Sequence, residues 1–142
     1  MSTALTAHAR KKWRGLGYFV EQGEHISRTG SIVRRHDTFG FADLLCLSAR
    51  KQKPELVFLQ VTSWGNVSAR VNKIARESHG TGQWRAPIAE IVKDLLALFD
   101  YEYGDQYIRV VVEGWKLDKK TNRWISREVE ITPELLKERA EK

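Results

Sequence analysis

The sequence is poor in cysteine, and this scarcity excludes several kinds of site. Cys46 is the single cysteine, so neither an intramolecular disulfide nor a zinc site with several cysteine ligands can form. Because Cys46 lies within the apolar run Leu44–Leu47, we interpret it as a small buried side chain rather than a nucleophile. The four histidines show no spacing typical of metal ligands. The scarcity of cysteine fits a reducing cytoplasm, where we expect the protein.

Long hydrophobic runs and prolines are lacking as well. No apolar run approaches the roughly 18 residues that a transmembrane helix needs, and the N-terminal segment has no apolar signal core. We therefore expect no membrane partner. Only three prolines, with 42% hydrophobic and 30% charged residues, are typical of a globular chain rather than a disordered one. At 142 residues the chain can bury one self-supporting core, so we predict a single domain over residues 1–142.

Positive charge is what the sequence has in excess. Lysine and arginine total 24 against 18 acidic residues, which gives a net charge of +6. A basic balance of this size favours phosphate backbones or acidic surfaces as partners, although many basic proteins bind no nucleic acid. Charge therefore indicates a class of partner and leaves the activity open.

Apolar periodicity predicts a mixed α/β domain. Helices are predicted where apolar residues recur at helical spacing, over residues 3–16, 67–78 and 87–99, and a charged helix is predicted from Thr132 onward. Strands are predicted in runs rich in aromatic and β-branched residues, over residues 18–26, 31–36, 39–47 and 56–62. Residues 107–117 and 124–131 flank a turn and predict a hairpin. The predicted fold is a mixed β-sheet flanked by helices, with a C-terminal β-hairpin and helix.

Asp43 is the one charged residue in the apolar strand predicted over residues 39–47. An unpaired buried carboxylate is costly, so Asp43 needs a cation, a hydrogen-bond partner or water at the edge of the strand. Gly40, just before it, allows another chain or a phosphate to approach closely.

The next predicted strand ends in Leu59-Gln60-Val61-Thr62, where Gln60 and Thr62 lie on one face. If this strand pairs with that of Asp43, then Asp43 and Gln60 lie side by side. A carboxylate, the Gln60 amide oxygen and the Val61 backbone carbonyl are hard oxygen ligands that suit Mg²⁺. A structural carboxylate and a glutamine that satisfies backbone groups are the alternative interpretations.

These segments resemble the PD-(D/E)xK nuclease superfamily. That family has a Gly-x-x-Asp strand, here Gly40–Asp43, then an acid-x-lysine pair on a following strand, and then a helix. Its restriction-endonuclease-like core of helix, three strands, helix and strand is similar to the predicted element order up to about Ser78. The segments 37–45, 60–63 and 66–70 also look like small phage or prophage resolvase-like members.

The resemblance implies a Mg²⁺- or Mn²⁺-dependent DNA endonuclease that hydrolyses phosphodiester bonds, with branched or Holliday-junction-like DNA as a candidate substrate. It implies Asp43 and Gln60 as metal ligands, with Val61 adding its carbonyl. In the family, the metal polarises the phosphate and activates water. The lysine stabilises developing charge. Resolvase-like members are commonly dimers, so a homodimer formed through the apolar hairpin is a further expectation.

The sequence departs from the family at the acid-x-lysine pair. Gln60 brings no charge, and Thr62 cannot supply a cation. Lys73, in the helix that follows, is the predicted catalytic replacement for the lysine, with Arg70 as the other candidate. The first helix lacks the glutamate of several resolvase-like members, and the nearby acids that remain as substitutes are Glu21, Glu24 and Asp37.

Basic residues around this segment are predicted to contact nucleic-acid phosphates, namely Arg34, Arg35, Arg70, Lys73 and Arg76. Trp13, Trp115 and Trp124 are predicted core residues, whereas Trp64 and Trp84 lie in loops where either can contact a nucleotide. Two alternatives to an active nuclease stay open. One is a nucleic-acid-binding module that kept the fold and lost cleavage, which the Gln-x-Thr departure favours. The other is a phage assembly protein for which the basic charge is incidental.

Overall fold

The computed structural model describes residues 3–48, 54–98 and 108–141. Its helices are α1 (Thr3–Gly15), α2 (Val67–Arg76), α3 (Ile88–Ala97) and α4 (Pro133–Ala140). Its strands are β1 (Phe19–Gln22), β2 (Glu24–Thr29), β3 (Ile32–Asp37), β4 (Leu44–Ser48), β5 (Glu55–Ser63), β6 (Ser78–His79), β7 (Ala86–Pro87), β8 (Ile108–Asp118) and β9 (Arg123–Glu130). The predicted helix end at Phe99 and the predicted hairpin start at Tyr107 lie outside the described residues.

The main sheet has five strands in the order β1-β4-β5-β8-β9. All neighbours are antiparallel except β5 and β8, which run parallel. A parallel pair needs a crossover connection, and α2 and α3 lie within this one. The predicted mixed sheet flanked by helices, with a C-terminal hairpin and helix, is thus confirmed.

Helices cover both faces of the sheet and enclose two apolar clusters. Phe58 and Val112 pack on the face covered by α2, α3 and α4. Leu59 and Val111 pack on the face covered by α1, against Trp13. Because side chains alternate along a strand, Gln60 and Thr62 share the α2 face with Phe58. The two polar positions of β5 therefore lie beneath α2.

The strand predicted over residues 18–26, with an interruption at Gly23, is two strands, β1 and β2. The break is at Gly23, where a Cβ atom would lie 2.5 Å from the carbonyl oxygen of Ala42. Gly23 instead donates its N–H to the Asp43 carbonyl at 2.8 Å, and its own carbonyl accepts the N–H of Thr38 at 2.9 Å. Beyond this point β2 pairs with β3 as a separate two-stranded ribbon.

The strand predicted over residues 39–47 begins only at Leu44. Phe39 and Gly40 have positive φ angles of 54° and 82°, a left-handed backbone that cannot continue a strand. A side chain at residue 40 would also lie 2.9 Å from Nδ1 of His79, so glycine fits both requirements. Asp43 therefore lies in a bend at the entrance to β4 rather than in the middle of a strand.

The remaining boundaries differ from prediction by a few residues. α2 ends at Arg76, and α3 begins after Pro87 rather than with it. The predicted cap of the terminal helix is confirmed, because Thr132 Oγ1 accepts the N–H of Leu135 at 3.2 Å. None of the helices in the described ranges has the length and apolar character needed to cross a membrane.

Candidate functional site

Asp43 is fixed by strands on both sides of it. Its side chain is 2% exposed, and its Oδ2 atom accepts the backbone N–H of Val61 at 2.8 Å. Its backbone N–H donates to the Leu59 carbonyl at 2.8 Å, and its carbonyl accepts from Gly23. The carboxyl group thus has one oxygen fixed against β5, while the rest of the group faces the turn that precedes β4.

A second carboxyl group meets Asp43 from that turn. Asp37, the last residue of β3, hydrogen-bonds with the Asp43 side chain. The pKa of Asp43 is raised from 3.8 to about 8, chiefly by burial and next by the charge of Asp37, while the hydrogen bond from Val61 and the charge of Arg70 oppose the rise. Without a cation, Asp43 therefore holds its proton at neutral pH and shares it with Asp37.

Gln60 lies between the two residues of β5 that Asp43 contacts. The Asp43 N–H donates to the Leu59 carbonyl, and its carboxyl group accepts the N–H of Val61. The Gln60 side chain is 2% exposed, and its Oε1 atom has no hydrogen-bond partner in the described ranges. Leaving a buried acceptor unsatisfied costs about 1–3 kcal/mol. An oxygen left open at such a cost is available to a ligand.

The Val61 carbonyl points to the same side of β5 as the Val61 N–H that donates to Asp43. In a strand, the N–H and C=O groups of one residue point to the same neighbouring strand. The Val61 N–H reaches Asp43, so its carbonyl also points to the side where β4 has not yet begun. The structure therefore brings Asp43 into contact with Asp37 and with the backbone of Val61, next to Gln60 in β5.

This donor set is oxygen-only and carries two carboxyl groups. Across residues 3–48, 54–98 and 108–141, no group of three or more histidine, cysteine or acidic side chains is placed to hold a metal. Zinc-type nitrogen and sulfur coordination thus has no basis among them. A hard cation such as Mg²⁺ is commonly held by one or two carboxylates and keeps several waters, which fits the residues present.

The orientation of α2 determines which of its basic residues reaches the site. Val67, Val71 and Ile74 form its buried stripe. At about 100° per residue, Arg70 lies on one flank of this stripe, whereas Arg76 lies nearly opposite the stripe.

Arg70 is the cation whose charge acts on Asp43, and its buried Nε atom has no hydrogen-bond partner in the described ranges. Arg76 lies on the α4 side, where its Nε donates to the Arg139 carbonyl at 2.9 Å. Lys73 is half-buried one turn after Arg70. The geometry favours Arg70 over Lys73 as the cation nearest Asp43, and the catalytic role of Lys73 stays a prediction.

Thr62, which takes the position of the family's lysine, is buried and bound locally. Its Oγ1 atom accepts from Nδ2 of Asn66 at 3.3 Å. Asn66 occupies the N-cap position of α2, but its side chain makes no capping bond. The Asn66 amide is therefore used to connect the end of β5 to the start of α2.

The ribbon carries the predicted phosphate contacts Arg34 and Arg35 in β3. Their side chains lie outside the described part of the structure. At the level of the backbone, Arg35 pairs with Ile26 and lies two positions before Asp37, so the ribbon leads directly from the carboxyl pair.

Glu113 is a buried acid that the sequence did not predict. Glu113 is 0% exposed on the α1 face, where its carboxylate accepts from Lys12 at 2.8 Å, Trp13 at 3.0 Å and Trp115 at 2.8 Å. Burial raises the pKa of Glu113, and the hydrogen bond from Lys12 opposes that rise. The signal was present, since Glu113 interrupts an apolar run as Asp43 does, but two of its three partners, Trp13 and Lys12, are 100 and 101 residues away along the chain. Because its hydrogen bonds are satisfied from within, we assign Glu113 a structural role.

The tryptophans divide differently from the prediction. Trp13 and Trp115 are buried as predicted. Trp124 is 42% exposed, so its prediction as a core residue was wrong; it stacks on His8 with ring centroids 4.6 Å apart. The reason is its position on β9, an edge strand that α1 covers only in part.

No family model, curated protein or solved structure matches this chain.

Proposed function

We propose that this protein is a metal-dependent DNA endonuclease with a PD-(D/E)xK-like site. The observation that carries the proposal is the Asp37–Asp43 carboxyl pair, in which Asp43 accepts the N–H of Val61, the residue after the buried Gln60 with its partnerless oxygen. Two carboxyl groups in contact repel each other when both are charged, and a divalent cation is the ligand that relieves this repulsion. A purely structural pair gives no reason for a buried glutamine oxygen without a partner on the residue before Val61.

The topology supports a restriction-endonuclease-like core. The elements α1, β1, β4, β5, α2 and β8 follow the helix, three strands, helix and strand of that family. The first three of these strands are antiparallel and the last is parallel to β5. The candidate ligands lie where β4 begins and where β5 ends, so both strands place them at one end of the sheet.

In the proposed mechanism, Asp37, Asp43, Gln60 and the Val61 carbonyl hold Mg²⁺ or Mn²⁺. When bound, the ion polarises the scissile phosphate and lowers the pKa of the attacking water. Asp43 must release its proton for binding, so binding strengthens as the pH rises toward 8. Arg70, whose charge already favours ionised Asp43, would stabilise the charge that develops on the phosphate.

A nucleic-acid-binding module without cleavage is the second candidate. The observation that favours it is the neutral Gln60 and Thr62 pair, in which the Thr62 hydroxyl is engaged with Asn66. A site with fewer charged ligands holds Mg²⁺ more weakly. The binding module would retain the basic surface and lose hydrolysis.

Cleavage assays separate the two candidates. Purified protein is incubated with branched, single-stranded and linear duplex DNA in Mg²⁺, in Mn²⁺ and in EDTA, beside Asp43→Asn and Asp94→Asn. Asp94 lies exposed on α3, so its variant is a matched control for loss of one carboxylate. We expect metal-dependent products from the wild type and from Asp94→Asn, and none from Asp43→Asn. Binding without products in either metal would instead establish the binding module, and absence of both would favour an assembly protein.

A further inference from the structure

A tryptophan bearing two cations lies just beyond the candidate site. Trp64 follows β5 two residues after Thr62 and is half-buried. Lys116 Nζ lies 4.2 Å from the centroid of its ring, and the Arg127 guanidinium carbon lies 4.8 Å from the same centroid. Arg127 also donates from Nη2 to the Trp64 carbonyl at 2.7 Å. We call Trp64, Lys116 and Arg127 the cationic platform.

The platform lies on the same sheet face as the candidate ligand Gln60. Thr62 pairs with Gly114 of β8, and Gly114 pairs with Arg127 of β9. Residues paired across strands share a face, so a continuous row crosses the sheet from Thr62 to Arg127. Lys116 lies two positions beyond Gly114 on the same face.

Gly114 is what lets Trp64 lie beneath the hairpin. A Cβ atom at residue 114 would lie 2.3 Å from Cγ2 of Val67 and 3.1 Å from Cα of Trp64. Because residue 114 has no side chain, Val67 at the start of α2 and Trp64, three residues earlier, pack directly on β8. The Trp64 ring thus comes within reach of cations on two strands.

The two cations of the platform lie on the face of the β8–β9 hairpin opposite to Glu113 and Glu128. On the α1 face, Glu113 and Glu128 both bind Lys12. On the opposite face, Lys116 and Arg127 are exposed, and within the described ranges neither forms a salt bridge with a carboxylate. Two cations positioned on an aromatic ring and left without an anion are preorganised for an external one.

We propose that the cationic platform binds the phosphate backbone of the DNA strand that leads away from the Asp43 site. The inference rests on the proposed function for the choice of DNA, since acidic protein surfaces offer the same sign of charge. Lys116 and Arg127 each contact one phosphate. Trp64 holds both cations in position on the β8–β9 hairpin through its ring.

DNA binding by a double variant tests the platform. The affinity of Lys116→Gln/Arg127→Gln for labelled duplex and branched DNA is measured by fluorescence anisotropy in EDTA across a salt series. Log K falls with log salt, and each lost phosphate contact reduces the steepness of that fall by about 0.9. We therefore expect a slope shallower by about 2 for the double variant. Its affinity should be roughly tenfold or more weaker near 0.1 M salt. Lys93→Gln/Lys137→Gln removes the same charge from exposed positions on α3 and α4 and should leave the slope unchanged.

An unchanged slope in the platform variant would overturn the inference, as would a slope that falls equally in the control. A second readout does not depend on any variant folding. DNA carrying 5-iodouracil is photocrosslinked to the wild type, and adducts are mapped by mass spectrometry. Adducts on peptides containing Trp64, Lys116 or Arg127 support the platform, and adducts found only elsewhere overturn it.

The EDTA measurement keeps this inference separate from the nuclease proposal. If the platform variant loses binding but the wild type cuts no DNA in Mg²⁺ or Mn²⁺, the platform stands and the nuclease proposal fails. If the wild type cuts DNA and the platform variant binds with an unchanged slope, the nuclease proposal stands and the platform fails. A wild type that binds no DNA overturns the platform directly.

Discussion

At the residue scale, Asp43 occupies a position that disfavours its own charge. Burial and the neighbouring Asp37 raise its pKa to about 8, although the Val61 N–H and Arg70 favour the ionised form. The folded state therefore binds a proton that the unfolded state, with an ordinary pKa of 3.8, has released at neutral pH. By linkage, this group stabilises the fold below pH 4, and that contribution is lost as the pH rises toward 8.

Asp43→Asn should therefore stabilise the protein at neutral and alkaline pH. Asparagine keeps an oxygen for the Val61 N–H and carries no charge, so we expect a gain on the order of 1–2 kcal/mol, or about 3–6 °C in Tm, at pH 8. The gain should shrink toward pH 5, where wild-type Asp43 is protonated. Thermal unfolding between pH 5 and 8.5 measures this difference, with Asp94→Asn as control. Parallel pH profiles for wild type and Asp43→Asn would contradict the assignment.

Gln60 is the second residue at which stability and ligand binding are expected to oppose each other. Gln60→Glu adds a third carboxyl group, so we expect a lower Tm without metal and a larger increase in Tm on adding Mg²⁺ than the wild type shows. Gln60→Met removes the partnerless oxygen and should keep or raise Tm while reducing the Mg²⁺ response. The measurement is the Tm at fixed pH, first without Mg²⁺ and then at Mg²⁺ concentrations that increase in roughly 10-fold steps. Equal Mg²⁺ responses in both variants would show that residue 60 is no ligand.

At the element scale, the orientation of α2 about its own axis determines which of its basic side chains acts on Asp43. The buried stripe of Val67, Val71 and Ile74 faces the sheet, and Arg76 is held on the α4 side by the Arg139 carbonyl. Arg70 is then left on the flank nearest Asp43. Arg70, one turn before Lys73, is therefore the helix cation whose charge acts on Asp43.

Arg70→Gln should impair the site more than Lys73→Gln. Loss of the Arg70 charge removes an interaction that favours ionised Asp43, so the Asp43 pKa should rise further. The rising limb of the pH profile for DNA cleavage should then move to higher pH, with a loss of about 10²-fold in rate at neutral pH. The pH–rate profiles of the two variants measure this, and their Tm values report on folding. A larger shift in Lys73→Gln would restore Lys73 as the catalytic cation.

The β2–β3 ribbon is the other element whose place the tertiary structure defines. The chain leaves the sheet at Gly23 and returns at Thr38, with both ends joined by backbone hydrogen bonds. This return brings Asp37 to Asp43, six residues later in the sequence. The sequence identified Asp37 among three nearby acids, but only the left-handed turn at Phe39 and Gly40 selects it.

At the scale of the whole molecule, the Lys12–Glu113 pair joins the first helix to the last two strands. Lys12 Nζ contacts Glu113 at 2.8 Å, Ser126 at 3.0 Å and Glu128 at 2.9 Å. These contacts connect α1 to β8 and β9 and close the α1 face of the sheet. The pair thereby holds in place the strand beside β5, on which the candidate site depends.

Lys12→Met should be strongly destabilising at neutral pH. Removing the cation leaves a buried carboxylate without its counter-ion, at a cost of about 3–5 kcal/mol. The pKa of Glu113, already raised by burial, should rise further, so the loss should diminish as the pH falls and Glu113 becomes protonated. Chemical denaturation at pH 5 and pH 8 measures both effects. Lys11→Met, at the exposed neighbouring position, is the control, and an equal loss in both variants would show that the ion pair is not the cause.

The sequence by itself determined what depends on short spacing along the chain. Apolar periodicity indicated the helices and the hairpin, and polar residues within apolar strands identified Asp43 and Gln60 as neighbours. Alternation with a period of two carries this information locally, so it is readable without the fold. The local turn at Phe39 and Gly40 was missed because an apolar run with one glycine has the same pattern as a strand.

Only the tertiary structure decided which distant groups meet. Four interactions illustrate this. They are the contact of Asp37 with Asp43, the action of the Arg70 charge on Asp43, the burial of Glu113 against Lys12 and the cations on Trp64. The physical reason is that each depends on the rotation or close packing of a whole element, fixed by cores on both faces of the sheet. Residue types set the chemistry available to this protein, and packing selects which of those residues share a site.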